Sequence, residues 1–291
     1  MTGRTFPYEV VDVFADAPYA GNPLAVVFDA DELDTAAMQA IAREFNLSET
    51  TFPVRPTAAG ADYLLRIFTP IDELPFAGHP SVGTAWLMAQ RGRVAPGRVV
   101  QECGAGLLPI EVDDDGATLT GGEPQIGEPL DPGPLLAAVG LTGDDLDPIA
   151  APRLVGTGLQ QVHVPVRRDA LARAVPDVAG VASAHPCGMI VVFAWDAGTR
   201  SSQARMFAPG SGVVEDPATG SAALGFGVWL AVSDLVPDNA TTSYVIRQGI
   251  EMGRPSRLEC AVTREDGRIV RTTVRGRVVP VARGEITAPS A

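Results

Sequence analysis

Two carboxylates, Glu215 and Asp216, stand inside a run of small and turn-forming residues, Phe207-Ala-Pro-Gly-Ser-Gly-Val-Val-Glu-Asp-Pro-Ala-Thr-Gly-Ser-Ala-Ala-Leu-Gly225. From Ser221 to Leu230 the residues are small and apolar, which predicts a loop giving way to a buried helix. Thr219 or Ser221 can cap that helix through a hydroxyl oxygen. Gly220 lets the backbone come close to a bound group. A helix opened this way offers free N–H donors and a positive dipole end, which suits an anion such as a substrate carboxylate. An ordinary capped core helix carries the same residues, and this stretch alone leaves both readings open.

The pattern occurs twice. Arg66-Ile-Phe-Thr-Pro70 matches Arg205-Met-Phe-Ala-Pro209, and each is followed by an acidic loop, Asp72-Glu73 or Glu215-Asp216. Each loop ends in a glycine, Gly78 or Gly220, that opens an apolar helix. Two copies of strand, polar loop and buried helix predict two lobes with pseudo-twofold symmetry, since a solenoid needs at least three repeats. If the two helix starts face each other, donors line a cleft from both sides. His79 follows the first glycine; it is either a packed residue or, against a carboxylate, a candidate acid, base or donor. Glu49, in Asn46-Leu-Ser-Glu-Thr-Thr-Phe52, is either held by neighbouring hydroxyls or an ordinary solvated loop residue.

The elements that must position these residues read mostly as short strands. Tyr8–Phe14 and Leu24–Phe28 are strands around a turn at Ala20–Pro23, and Asp34 or Thr35 caps a helix to about Glu44 with Met38, Ile41, Ala42 and Phe45 at helical spacing. Asp62–Phe68 is the strand of the first copy. Short strands follow near Val99–Gln101, Leu108–Val112 and Ala117–Thr120. Gly121–Pro134, rich in Gly and Pro, reads as a linker, and Leu135–Val139 as a short helix. Val155–Leu159 reads as a Gly-rich turn into the strand Gln161–Val166, where His163 is structural. Ala170–Val175 reads as helix; Met189–Ala194, Tyr244–Gly249, Ser256–Val262, Ile269–Pro280 and Val281–Ile286 read as strands.

The chain has 291 residues, 46% hydrophobic and 20% charged, enough for two ordinary domains. A net charge of −13 argues against nucleic acid and anionic membrane as partners. All 22 basic residues are Arg, which removes a lysine Schiff base. Cys103, Cys187 and Cys260 lie far apart with no Cys-x-x-Cys, so neither a zinc nor a dithiol site is expected, and an odd count without an apolar leader fits a reducing cytoplasm. The uncharged stretch Pro217–Ser233 is short for a membrane span and reads as a core helix. No Gly-x-Gly-x-x-Gly follows a strand, so no dinucleotide site is proposed.

Six segments together resemble the PhzF family of phenazine-biosynthesis-like isomerases, which share the diaminopimelate epimerase fold. They are Val11–Asp16 with Gly21-Asn-Pro23; Asn46–Phe52; Arg66–Pro70 with Glu73–Pro80; Thr157-Gly-Leu159; Phe207–Ala222; and Gln248-Gly-Ile-Glu-Met-Gly-Arg-Pro-Ser256. They cover nearly the whole chain in the family's order. The resemblance implies an α+β fold of two pseudo-symmetric lobes, each a rolled, mostly antiparallel sheet around one central helix. The lobes are expected at 1–125 and 126–291, with the strand 278–286 able to return to the first. It further implies an isomerase that shifts a proton on a small carboxylate-bearing metabolite such as a dihydro-hydroxyanthranilate, with no metal and no organic cofactor. Glu49, Asp216 and His79 would be catalytic; Ser48, Gly78, Gly220 and Ser221 would bind substrate. A homodimer follows from the family alone.

Sister amino-acid epimerases of this fold use a Cys at the start of each central helix. Here those places hold Gly78-His79 and Gly220-Ser221, which disfavours a two-thiol racemase. The same chemistry on another substrate, a non-catalytic small-molecule binder and a structural dimer partner are the competing readings. Glu49, His79 and Asp216 speak against the binder, which needs no proton carrier.

Overall fold

Strands of period two carry most of the chain. In the strands Ala240–Gln248 and Ser256–Glu265, Thr242, Tyr244, Ile246 and Gln248 on one and Ser256, Leu258, Cys260 and Val262 on the other are buried at every second position, as a sheet with one face on a core requires. The computed structural model describes residues 4–289. Their contacts divide into two units. One runs to Leu119 and resumes at Arg275; the other is Thr120–Val274.

The first unit holds β1 (Thr5–Val13), β2 (Asn22–Val27), α1 (Thr35–Phe45), β3 (Glu49–Val54), β4 (Tyr63–Phe68), β5 (Glu73–Leu74), α2 (Gly78–Gln90), β6 (Gly97–Cys103), β7 (Gly106–Val112) and β8 (Gly116–Thr120). β1 and β2 are antiparallel, β2 and β3 parallel, β3 and β4 antiparallel, β4 and β6 parallel, and β6, β7 and β8 antiparallel. The C-terminal strand Arg268–Thr287 pairs with β1 and with β8, which closes the strands into a barrel. Each parallel step needs a crossover, and helices supply it: α1 between β2 and β3, α2 between β4 and β6.

The helix α1 is amphipathic. It buries Met38, Ile41 and Ala42, and Asp34 caps it by accepting from Ala37 N at 2.8 Å. α2 packs against β1, β2, β3, β6 and β7 and is buried from Gly78 to Met88, so it shows no polar face. Its hydroxyls are partnered inside: Ser81 donates to Ala77 O, and Thr84 shares a 2.9 Å hydrogen bond with Thr51. Gly83 lets α2 lie close to the strands, because a Cβ there would stand 2.6 Å from a Val13 methyl and 2.7 Å from a Leu24 methyl, which would have to move.

The second unit holds β9 (Gln125–Pro129), α3 (Pro132–Ala138), β10 (Arg153–Gly156), β11 (Gln160–Pro165), α4 (Val178–Ala184), β12 (Ile190–Asp196), β13 (Ser201–Ala208), β14 (Val213–Asp216), α5 (Gly220–Val232), β15 (Ala240–Gln248), β16 (Ser256–Glu265) and the start of β17 (Arg268–Thr287). Its pairings run β10–β11 antiparallel, β11–β12 parallel, β12–β13 and β13–β14 antiparallel, β13–β15 parallel and β15–β16 antiparallel. This order matches that from β1 to β7, with α5 where α2 stands. α5 packs against β9, β10, β11 and β16. Among the described residues no helix is long and apolar enough to cross a membrane.

Four readings of the sequence need correction. The stretch Gly121–Pro134 contains β9, which pairs with β10; its Gly and Pro residues are compatible with an edge strand, though they suggest a linker. Val155 and Gly156 end the strand β10 rather than forming only a turn. The helix read at Ala170–Val175 is a 3-10 helix and runs Arg168–Arg173. α4 was not anticipated; it is 7 residues long and Asp177 caps it at Gly180 N, too short to show a period.

Candidate active site

Asn46 ends α1 in the left-handed region at φ 51, a conformation Asn tolerates. The chain turns there and enters β3 at Glu49, opposite Leu24 of β2. His79 is the second residue of α2 and is 4% exposed. The two meet: His79 Nε2 lies 3.5 Å from Glu49 Oε2, with side chains 5% and 15% exposed. Behind the ring, Asn22 Nδ2 stands 3.2 Å from His79 Nδ1, and Ser48 Oγ donates to Asn22 Oδ1 at 3.1 Å. Burial pulls the His79 pKa down to about 3, opposed by a backbone hydrogen bond at Pro23. His79 is therefore neutral at pH 7, and its 3.5 Å approach to Glu49 brings two polar atoms together without an ion pair.

No side chain caps α2 at Ala77, and its first turn holds no acidic residue. Pro80 has no N–H, so Gly78 and His79 carry the leading donors of this helix end.

In the second unit Asp216 closes β14. Thr219 Oγ1 donates to its Oδ2. Gln248 Nε2 donates to Asp216 O at 2.7 Å and to Thr219 Oγ1 at 3.0 Å, while Gln248 Oε1 accepts from Thr219 N at 3.3 Å. Two acceptors and one donor fix this amide in one orientation. Thr219 is the N-cap of α5, yet its side chain makes no capping bond; its oxygen accepts from Gln248 Nε2 instead, and its proton goes to Asp216. Ser221 lies inside the first turn and accepts from Gln161 Nε2 at 3.0 Å. The expected hydroxyl cap is thus absent, and α5, like α2, begins without one.

The repeated arginines hold the loop acids. Arg66 binds Glu73 at 2.7 and 2.6 Å, and Arg205 binds Glu215 at 2.8 Å through both nitrogens. Each guanidinium also lies over a phenylalanine, 5.2 Å from Phe68 and 5.1 Å from Phe207. Glu215 is therefore structural, which separates it from its neighbour Asp216. His163 is structural as well: its ring nitrogens meet Gln161 O and Ala222 O, and burial lowers its pKa to about 4.

Of the residues singled out from sequence, Ser48, Glu49, Gly78 and His79 gather in the first unit. Asp216, Gly220 and Ser221 gather in the second. Sequence reasoning gave no role to Asn22, Gln161 or Gln248. Asn22 and Gln248 lay inside quoted motifs, but nothing in a sequence says which carbonyl an amide will meet. The two units differ at the position of Glu49. Thr50 pairs with Phe68 and Ile190 with Phe207, so Met189 occupies in the second unit the place Glu49 holds in the first.

A buried carboxyl–imidazole contact beside an uncapped helix start is the equipment of an acid–base enzyme. The profile of a family described as "Phenazine biosynthesis-like protein" (PhzC-PhzF) matches residues 11–284. The trans-2,3-dihydro-3-hydroxyanthranilate isomerase of Pseudomonas fluorescens is 37% identical over 96% of this chain and 98% of its own. A PhzF-family phenazine biosynthesis protein from Bacillus anthracis superposes with a TM-score of 0.88 at 27% identity, covering 97% of this chain and 99% of that one. A predicted epimerase from Pseudomonas aeruginosa gives 0.79 at 34% identity, over 98% and 100%. The chain belongs to the PhzC-PhzF family and is an isomerase.

Proposed function

We propose that the chain moves a proton between two carbons of a small, cyclic, carboxylate-bearing metabolite of the dihydro-hydroxyanthranilate type. Glu49 takes the proton as carboxylate and returns it as carboxylic acid. One C–H bond breaks, its electron pair shifts the double bond, and a second C–H bond forms, so no oxidant or cofactor enters. His79 faces the Glu49 carboxyl and orients it. Asp216, Ser48, Ser221 and the backbone donors at Gly78 and Gly220 hold the substrate and its developing charge. In the same reading each unit is a rolled sheet around one helix, α2 or α5, and the units are pseudo-symmetric.

The carrying observation is the 3.5 Å approach of the buried His79 to Glu49. That Met189 stands in the second unit where Glu49 stands in the first supports a single base that returns its own proton rather than a two-base exchange. The relatives' printed activity supports the substrate class. The assay is conversion of trans-2,3-dihydro-3-hydroxyanthranilate by wild type and Glu49→Gln at matched folding. Turnover by wild type and loss of about 10²-fold or more in the variant are expected. Equal turnover by both removes Glu49 from the chemistry, and no turnover by wild type removes the substrate.

A further inference from the structure

We infer that Asn22 is a positioning residue that sets the tautomer of His79, so that Nε2–H points at Glu49; this rests on the reading of Glu49 as the base. Asn22 is fully buried, at 0% exposure, at the start of β2. Its amide oxygen accepts from the Ser48 hydroxyl at 3.1 Å, and its nitrogen stands 3.2 Å from His79 Nδ1. A ring nitrogen that accepts from an amide N–H cannot carry its own proton. The proton of the neutral ring then sits on Nε2, which faces Glu49 Oε2. A donor there stabilises the carboxylate, the form that can abstract a proton. Ser48 and Glu49 are adjacent, so one turn of chain carries both the base and the hydroxyl that orients the amide. The backbone hydrogen bond at Pro23 favours the protonated ring, against the effect of burial.

The test reads the tautomer directly. Wild-type protein labelled with 15N in histidine is observed by long-range 1H–15N correlation at pH 7, with His79→Gln used to assign the ring. Wild type is expected to show a protonated Nε2 and a bare Nδ1. Asn22→Asp presents only acceptors to Nδ1, so its spectrum should show a protonated Nδ1. Its kcat should fall on the order of 10-fold or more at little change in KM, with a pH profile displaced as the new carboxylate raises the His79 pKa. Should Asn22→Asp fail to fold, Ser48→Ala replaces it: loss of the orienting hydroxyl should give a mixture of the two tautomers. A wild-type His79 protonated at Nδ1 overturns the inference, as does an unchanged tautomer in folded Asn22→Asp. Neither result depends on turnover, so failure of the Glu49 assignment remains separately visible.

Discussion

Nε2 of His79 and Oε2 of Glu49 approach to 3.5 Å although one residue lies in the first turn of a helix and the other opens a strand. The meeting depends on two features of the first unit. β2 and β3 run parallel with Leu24 opposite Glu49, and α2 lies against both strands. The ring is neutral because burial penalises its charged form.

A neutral His79 makes a kinetic prediction. With a pKa near 3, it contributes no ionisation to the rate profile around neutrality. His79→Gln should lower kcat/KM by about 10²-fold while leaving the shape of the pH profile between about pH 5 and 8 unchanged. A wild-type limb near pH 6.5 that vanishes in His79→Gln contradicts this.

Stability should also fall on mild acidification. As pH drops through 6.5 the unfolded histidines take up protons. Folded His79 and His163 do not until about 3 and about 4. The unfolded state then binds more protons, so stability falls with pH across that window. By about pH 4.5 each site can cost roughly 2–3 kcal/mol, at about 1.4 kcal/mol per pKa unit. Urea midpoints for wild type and His163→Gln should show a shallower pH slope in the variant; identical slopes above pH 4.5 would exclude His163 as a source.

The two arginine anchors should differ in worth. The Arg205 and Glu215 side chains are 8% and 15% exposed, and Arg205 also donates to Leu171 O and Ala174 O at 2.7 Å. Arg66 and Glu73 are 22% and 37% exposed. Arg205→Met should therefore cost about 3–5 kcal/mol, and Arg66→Met about 1 kcal/mol or less. Chemical denaturation measures both, and equal costs would refute the assignment to burial.

Gln248 should act on the site through Asp216 and Thr219. Gln248→Leu strands Asp216 O and Thr219 N, at a cost of about 1–3 kcal/mol. If Asp216 binds substrate, KM should rise more than kcat falls. A stability loss with unchanged KM would make Gln248 purely structural.

The sequence discloses those parts of the molecule that repeat or alternate. The Arg-x-Phe-x-Pro copies become β4 and β13 with matching ion pairs, and Met38, Ile41 and Ala42 give α1 its face. The uncharged run after Gly220 becomes α5, buried through Ala231. What stayed hidden depends on distant partners. Asn22 is ordered by His79, 57 residues away, and Gln161 by Ser221, 60 away; no local pattern encodes such pairs. Thr219 is a cap by residue type, but its hydroxyl oxygen accepts from Gln248, 29 residues away, rather than from a first-turn N–H. β9 is obscured because its glycine and proline resemble a linker, although Gly127 lies against Leu154 on β10 where a Cβ would stand 2.9 Å from a carbonyl oxygen.

The most direct test of the central claim follows the proton itself. Trans-2,3-dihydro-3-hydroxyanthranilate is incubated with wild type and Glu49→Gln in D₂O, and deuterium in substrate and product is located by NMR. A single base predicts conversion by wild type, with deuterium only at the carbon that gains a proton and in an amount set by exchange on Glu49. It predicts neither conversion nor incorporation with Glu49→Gln. Conversion with full deuterium incorporation by the Glu49→Gln variant would contradict it, because another group would then be moving the proton.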